Sequence, residues 1–280
     1  MAMDVMLAVL LGALLHAAWN AMIRGAADRT LDTVLVVAGA GAIMLCALPF
    51  VPLPAPASWP YVIASGIIHV GYFLLVARSY RHGELSFVYP IMRGSAPAVS
   101  AVAAALLLAE VPPAGGWLGV ILIGGGVMLL AGDAWRKQSF HGGAALFAVG
   151  TAGVIVIYTL VDGIGARLSG HAASYTGWVF LLTAVPLLMI FLVRDRATTT
   201  AYLQRHWRRG LIGGGCTLAS YALALWAMTQ APIALVAALR ETSVVFAVLI
   251  AAIVLRERIT RIRYLSVLIV TTGAIAIKLA

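Results

Sequence analysis

Of the chain's 280 residues, 62% are hydrophobic and 10% are charged; an ordinary soluble domain has about 45–50% apolar and about 25% charged residues. This excludes a water-soluble globular enzyme, a disordered chain and a secreted disulfide scaffold. Ten membrane-spanning helices of about 20 residues each fit the length and leave little outside the bilayer.

Apolar runs between charged and Pro/Gly breaks predict ten helices. In chain order they cover Asp4–Ile23, Leu31–Phe50, Trp59–Ser79, Ser86–Ala109, Gly115–Gly132, Gly143–Gly163, Ala172–Val193, Gly210–Thr229, Ile233–Leu255 and Arg263–Leu279. Weak ten-residue alternation, the mark of a membrane β-barrel, is not what these runs show. The N-terminus lacks the basic region of a cleavable signal peptide. Pro90, Gly94 and Pro97 are expected to kink the fourth helix, because a proline removes an intrahelical hydrogen bond. The one long connection, 194–209, is expected to lie at the headgroups with Tyr202 and Trp207 at the interface. Cys46 and Cys216 lie in apolar runs without metal-ligand spacing, so neither a disulfide nor a zinc site is expected.

The ten segments divide into two fives, residues 1–135 and 140–280. Arg93 and Glu110 bracket the fourth helix 17 residues apart, and Arg240 and Glu257 bracket the ninth with the same separation. The same shift of 147 places Gly126 on Gly273. Five spans per repeat is an odd number, so the second repeat enters the membrane from the opposite side. The expected fold is an all-α polytopic membrane protein of ten transmembrane helices in two inverted five-helix repeats, as in secondary transporters.

Basic residues set the orientation. Of 19 Lys and Arg, 15 fall in connections on the side away from the N-terminus; only Arg167 and Lys278 fall on the terminal side. By the positive-inside rule, both termini are expected outside the cytoplasm of a cell membrane, a bacterial inner membrane. This topology accounts for most of the net charge of +9, and no nucleic acid partner is expected.

Two segments, LLAEVPPAGGWLGVILIGGGVMLLAG from Leu107 and VLRERITRIRYLSVLIVTTGAIAI from Val254, resemble the end of each half in the EamA-type ten-helix carriers of the drug/metabolite transporter superfamily. The opening LLHAAWNAMIR, with Trp19-Asn20, is similar to that family's first helix. Ala109-Glu110 and Arg256-Glu257 stand where the family usually has Gly-Glu. The resemblance implies a carrier, whose termini are usually cytoplasmic in the family; the charge count argues the reverse here.

Polar residues at helical spacing mark faces toward a central cavity. They include Trp19 and Asn20 of the first helix, His69 and Tyr72 of the third, Tyr89 and Arg93 of the fourth, Tyr158 of the sixth with Thr151 and Asp162 on its stripe, and Tyr221 of the eighth. The ninth adds Arg240 and Glu241. The alternative role for such residues is interhelical hydrogen bonding. An intramembrane arginine costs about 2.5–3.5 kcal/mol at a helix centre on insertion scales, which points to a partner, water or a substrate. Arg93 and Arg240 are candidates to hold an anionic group by charge-assisted bonds, with Glu241 binding an amine or a coupling proton. A structural Arg93–Glu241 ion pair is the competing reading.

These residues predict a secondary transporter of a small anionic or zwitterionic metabolite, such as an amino acid or a phosphonate. Alternating access would come from rocking of the two halves. A broad exporter of amphipathic aromatic compounds is the alternative, and a membrane-embedded enzyme is the alternative of another class, against which stand the missing HExxH and Asp-rich motifs. No cofactor and no metal are expected; the partners are the substrate, the lipid bilayer and a coupling proton.

Overall fold

The computed structural model describes residues 1–82, 85–135, 142–253, 256 and 259–280, with the backbone alone described within 76–95 and 131–149. Among the described residues there are eleven α-helices and no strand. They are α1 Met3–Arg24, α2 Arg29–Ala47, α3 Trp59–His82, α4 Leu85–Leu108, α5 Ala114–Trp135, α6 Gly142–Leu168, α7 Ala172–Arg194, α8 Arg196–Gln230, α9 Ile233–Arg240, α10 Ser243–Ile253 and α11 Arg261–Leu279. Eight spans, one of them the α9–α10 pair, are long and apolar enough to cross a membrane, and α4 and α5 add shorter apolar stretches. Leu7, Leu11 and Leu14 of α1, Ile63 and Ile67 of α3 and Leu265 and Leu268 of α11 face outward. Water would penalise such a continuous apolar exterior; lipid does not.

Two expectations change. The ninth helix is not continuous: α9 stops at Arg240, and α10 begins at Ser243. Glu241 N–H bonds Ala238 O at 3.0 Å and Thr242 N–H bonds Leu239 O at 3.0 Å, three residues back instead of four. The Thr242 hydroxyl also donates to Leu239 O at 2.6 Å. The backbone of α4 is one helix that includes both of its prolines. The second change is that the stretch 196–209 is helical and joins α8, with a break in helical geometry at His206 (φ −117°, ψ 17°). Its start is capped by Asp195, whose carboxylate accepts from Thr198 N–H at 3.0 Å. That bonding holds the Asp195 carboxyl below the usual carboxylate range.

Close helix contact rests on glycine. A Cβ on Gly39 of α2 would lie 2.1 Å from Gly210 O of α8, and one on Gly214 would lie 2.4 Å from Ala40 N. Small residues permit this backbone-to-backbone approach, which raises the packing energy available between membrane helices. A second seam joins α5 to α11, where a Cβ on Gly119 would lie 2.7 Å from Gly273 O.

The two repeats share a backbone signature. Ala109 (φ 56°) and Arg256 (φ 53°) both adopt the left-handed conformation, and the shift of 147 superposes them. For a residue with a side chain this costs about 1–2 kcal/mol, which explains why glycine suits the position. At Ala109 the turn ends α4, and Glu110 N–H reaches back to Ala104 O at 3.3 Å.

Candidate functional site

The polar faces of α3, α6 and α8 converge on a buried aromatic cluster. His69 of α3 lies 4.8 Å from Tyr158 of α6 and 5.6 Å from Tyr221 of α8, ring centre to ring centre. Tyr72 approaches Tyr158 at 5.8 Å. His69 Nδ1 is held by its own helix, 3.0 Å from Ser65 O and 3.1 Å from Ser65 Oγ. His69, Tyr158 and Tyr221 are buried, and Tyr72 is half-buried.

Beside this cluster lies a narrow pocket. Pro97 and Ser100 of α4, Tyr158 and Thr159 of α6, and Ala237, Arg240 and Glu241 at the end of α9 line it. The broken helix shapes the wall. Glu241 N–H bonds Ala238 O, three residues back, where the chain borders the pocket. Backbone irregularity at membrane depth is tolerated where it lines a cavity or is buried in protein. The Arg240 guanidinium carbon sits 5.2 Å over the centre of the Tyr221 ring, a cation–π contact that stabilises a desolvated charge. Glu241 is buried.

At the hydroxyl end of Tyr221, whose ring face carries Arg240, is Asp162 of α6. Tyr175 of α7 donates its hydroxyl to Asp162 Oδ1 at 2.8 Å, and Tyr221 donates to Oδ2. Asp162 and Tyr175 have no exposed surface. In the sequence Asp162 was legible only as one member of a polar stripe. Its being an acid within a span was the stronger signal. Tyr175 offered no signal, because its role comes entirely from the α6–α7 packing.

The structure brings together His69, Tyr72, Tyr158, Tyr221, Arg240 and Glu241. Trp19 and Asn20 form a separate group on α1: the Asn20 amide donates to His16 O at 2.8 Å, and Trp19 packs edge-on against His16 at 5.2 Å. The side chains of Tyr89 and Arg93, and with them the Arg93–Glu241 ion pair, lie outside the described residues.

At the face where both chain ends lie, a polar clasp joins the repeats. Glu110, following α4, forms an ion pair with Arg167 near the end of α6. Its other oxygen accepts from Ile233 N–H at 3.0 Å, capping α9. Arg167 also donates to Met228 O at 2.7 Å and to Ala231 O at 3.1 Å, satisfying carbonyls at the end of α8. Lys278 donates to Met1 O at 2.8 Å. Both basic residues that the charge count placed on this face are thus engaged. At the opposite face Asp32, fully buried, meets Arg209 at 3.1 Å and the Tyr202 hydroxyl at 3.1 Å.

Helices long and apolar enough to cross a membrane, with an apolar exterior, define a multi-pass membrane protein. The sequence matches the EamA-like transporter family over residues 4–132 and again over 142–279. The chain belongs to that family, within the drug/metabolite transporter superfamily. No curated protein matches it. One solved structure, titled only "Crystal structure of protein", aligns over 100% of this chain and 98% of its own, with a TM-score of 0.70 and 16% identity. At that identity the likeness speaks for the fold alone.

Proposed function

We propose that this transporter is a secondary carrier of a small anionic or zwitterionic metabolite. The observation that carries the reading is Arg240: a guanidinium in the interior of the bundle, on the pocket wall, poised over an aromatic face and next to the break between α9 and α10. An arginine there presents a fork of donors suited to carboxylate or phosphonate oxygens. The neighbouring carboxylate of Glu241 suits the ammonium of a zwitterion. Access alternates between the two faces, with the basic face, carrying 15 of the 19 Lys and Arg, in the cytoplasm of a cell membrane.

Thermal-shift measurements on the purified protein with amino acids, phosphonates, sugar phosphates and lipophilic cations identify the ligand class. Arg240→Gln then weakens the anionic ligand about 10- to 100-fold, as expected for the loss of a charge-assisted bond worth about 1.5–3 kcal/mol. Unchanged affinity in a folded Arg240→Gln protein defeats the assignment. The aromatic cluster of His69, Tyr72, Tyr158 and Tyr221 favours a second reading, a broad exporter of amphipathic aromatic compounds. Stabilisation by chemically unrelated aromatic cations, with none by anions, selects that one.

A further inference from the structure

Three of the described carboxylates hold the same kind of position, within the helices or at their junctions, and differ in what compensates their charge. Asp32 meets Arg209, and Glu110 meets Arg167. Asp162 meets two phenols. Among the described residues no Lys, Arg or His nitrogen lies within 4.0 Å of it. Asp162 is thus the one of the three whose hydrogen-bond partners are neutral, and ionisable residues at membrane depth mark ion pathways and proton relays. We infer that Asp162 is a proton-binding site of the carrier, reached from the central pocket and linked through Tyr221 to Arg240.

The surroundings favour a proton over any larger cation. Both carboxylate oxygens already accept an O–H, the side chain has no exposed surface, and no group of three His, Cys, Asp or Glu gathers among the described residues. A proton needs no added space. It comes from bulk water, adds to one carboxylate oxygen, and forms a carboxylic acid; nothing leaves, and the site gains one positive charge. A tyrosine hydroxyl both donates and accepts, so the phenol facing that oxygen turns its hydrogen away and accepts the new acid O–H.

Tyr175 from α7 and Tyr221 from α8 meet Asp162 directly; the ionisable groups around those two are Tyr61 and His69 from α3, Tyr158 from α6 and Arg240 from α9, with Glu241 next in the chain. The described part of α4, 96–108, contains no titratable residue. Tyr158 lines the pocket and touches His69, and His69 touches Tyr221. This sequence of rings leads from the pocket to the carboxylate. Tyr221 is common to both charges: its face carries Arg240, and its hydroxyl bonds Asp162. Neutralising Asp162 removes a negative charge from the hydroxyl end of that ring and leaves Arg240 a stronger attractor for an anion. By reciprocity an anion at Arg240 favours the proton, so proton and anion travel together. The coupling rests on the carrier reading above; the location of the proton does not.

The test therefore uses no substrate. Infrared difference spectra of the full-length protein in lipid vesicles, taken as the pH is stepped, report the carbonyl stretch of any buried carboxylic acid. The expected result is a band that appears on acidification, is lost in Asp162→Asn and persists in Glu241→Gln. Tyr221→Phe keeps the carboxylate and removes one donor, so it shifts the midpoint of the band. A band that survives Asp162→Asn, a band lost only in Glu241→Gln, or the absence of any titrating band in the wild-type protein overturns the inference. Should Asp162→Asn fail to fold, an unmoved midpoint in Tyr221→Phe overturns it. None of these outcomes alters the result of the ligand panel, so the two readings fail separately.

Discussion

The fourth span and its repeat mate, the ninth, carry the same landmarks at the same spacing yet end up with different backbones. α4 contains Pro90 and Pro97 and is helical from Leu85 to Leu108; the mate contains no proline between Ile233 and Ile253 and breaks into α9 and α10. The break falls at Arg240-Glu241-Thr242. A side-chain hydroxyl and three-residue backbone bonds have replaced the helical ladder there. Proline is tolerated where neighbouring helices satisfy the freed carbonyl, whereas a threonine bonding its own carbonyls competes with the helix directly. In the ninth span the irregularity falls at charged and polar residues on the pocket wall, in a stretch without proline.

The difference can be broken at its anchor. α9 is only eight residues long, and its first turn hangs on Glu110. Glu110→Ala removes both the cap and the ion pair and is expected to cost about 2 kcal/mol, read as a fall in unfolding temperature. A double-mutant cycle with Arg167→Gln should show the two losses to be far from additive. Additive losses would mean that the clasp is two unrelated contacts. A smaller effect is expected at the break itself. Thr242→Val deletes the 2.6 Å bond to Leu239 O and should cost about 1 kcal/mol, with faster amide hydrogen exchange at 239–245. Unchanged exchange there would show that backbone bonds alone hold the break. The smallest effect has the opposite sign. Ala109→Gly relieves a left-handed alanine and should raise stability by about 0.5–1 kcal/mol. A loss of stability would mean that the alanine methyl contributes packing at the end of α4 that outweighs its strain.

Much of the fold was legible because membrane insertion is governed by transfer free energy, which is local in sequence. The spans, the repeat spacing and the clustering of basic residues on one face all follow from it. The convergence of His69, Tyr158 and Tyr221 was legible for the same reason, since helical periodicity aims polar residues inward. Where sequence reading failed, tertiary contact decided the outcome. Arg205, Arg208 and Arg209 made 196–209 look like a loop, yet Arg209 is held by Asp32 and Tyr202 bonds the same carboxylate, so the helix persists. The hydroxyl bond of Thr242 and the phenols around Asp162 are likewise contacts to which no hydropathy window responds.

The glycine seam between α2 and α8 has a mechanical meaning. Gly39 and Gly210 press backbone on backbone, and α8 packs most extensively on α1 and α2, while α5 packs most extensively on α11. Each of these pairings joins a helix of the first repeat to a helix of the second. Two surfaces interlocked so closely cannot slide apart during a transport cycle without losing the contacts that hold them. The helices that these seams hold together therefore come from both halves of the sequence, and the closest-packed groups of helices differ from the unit that was repeated.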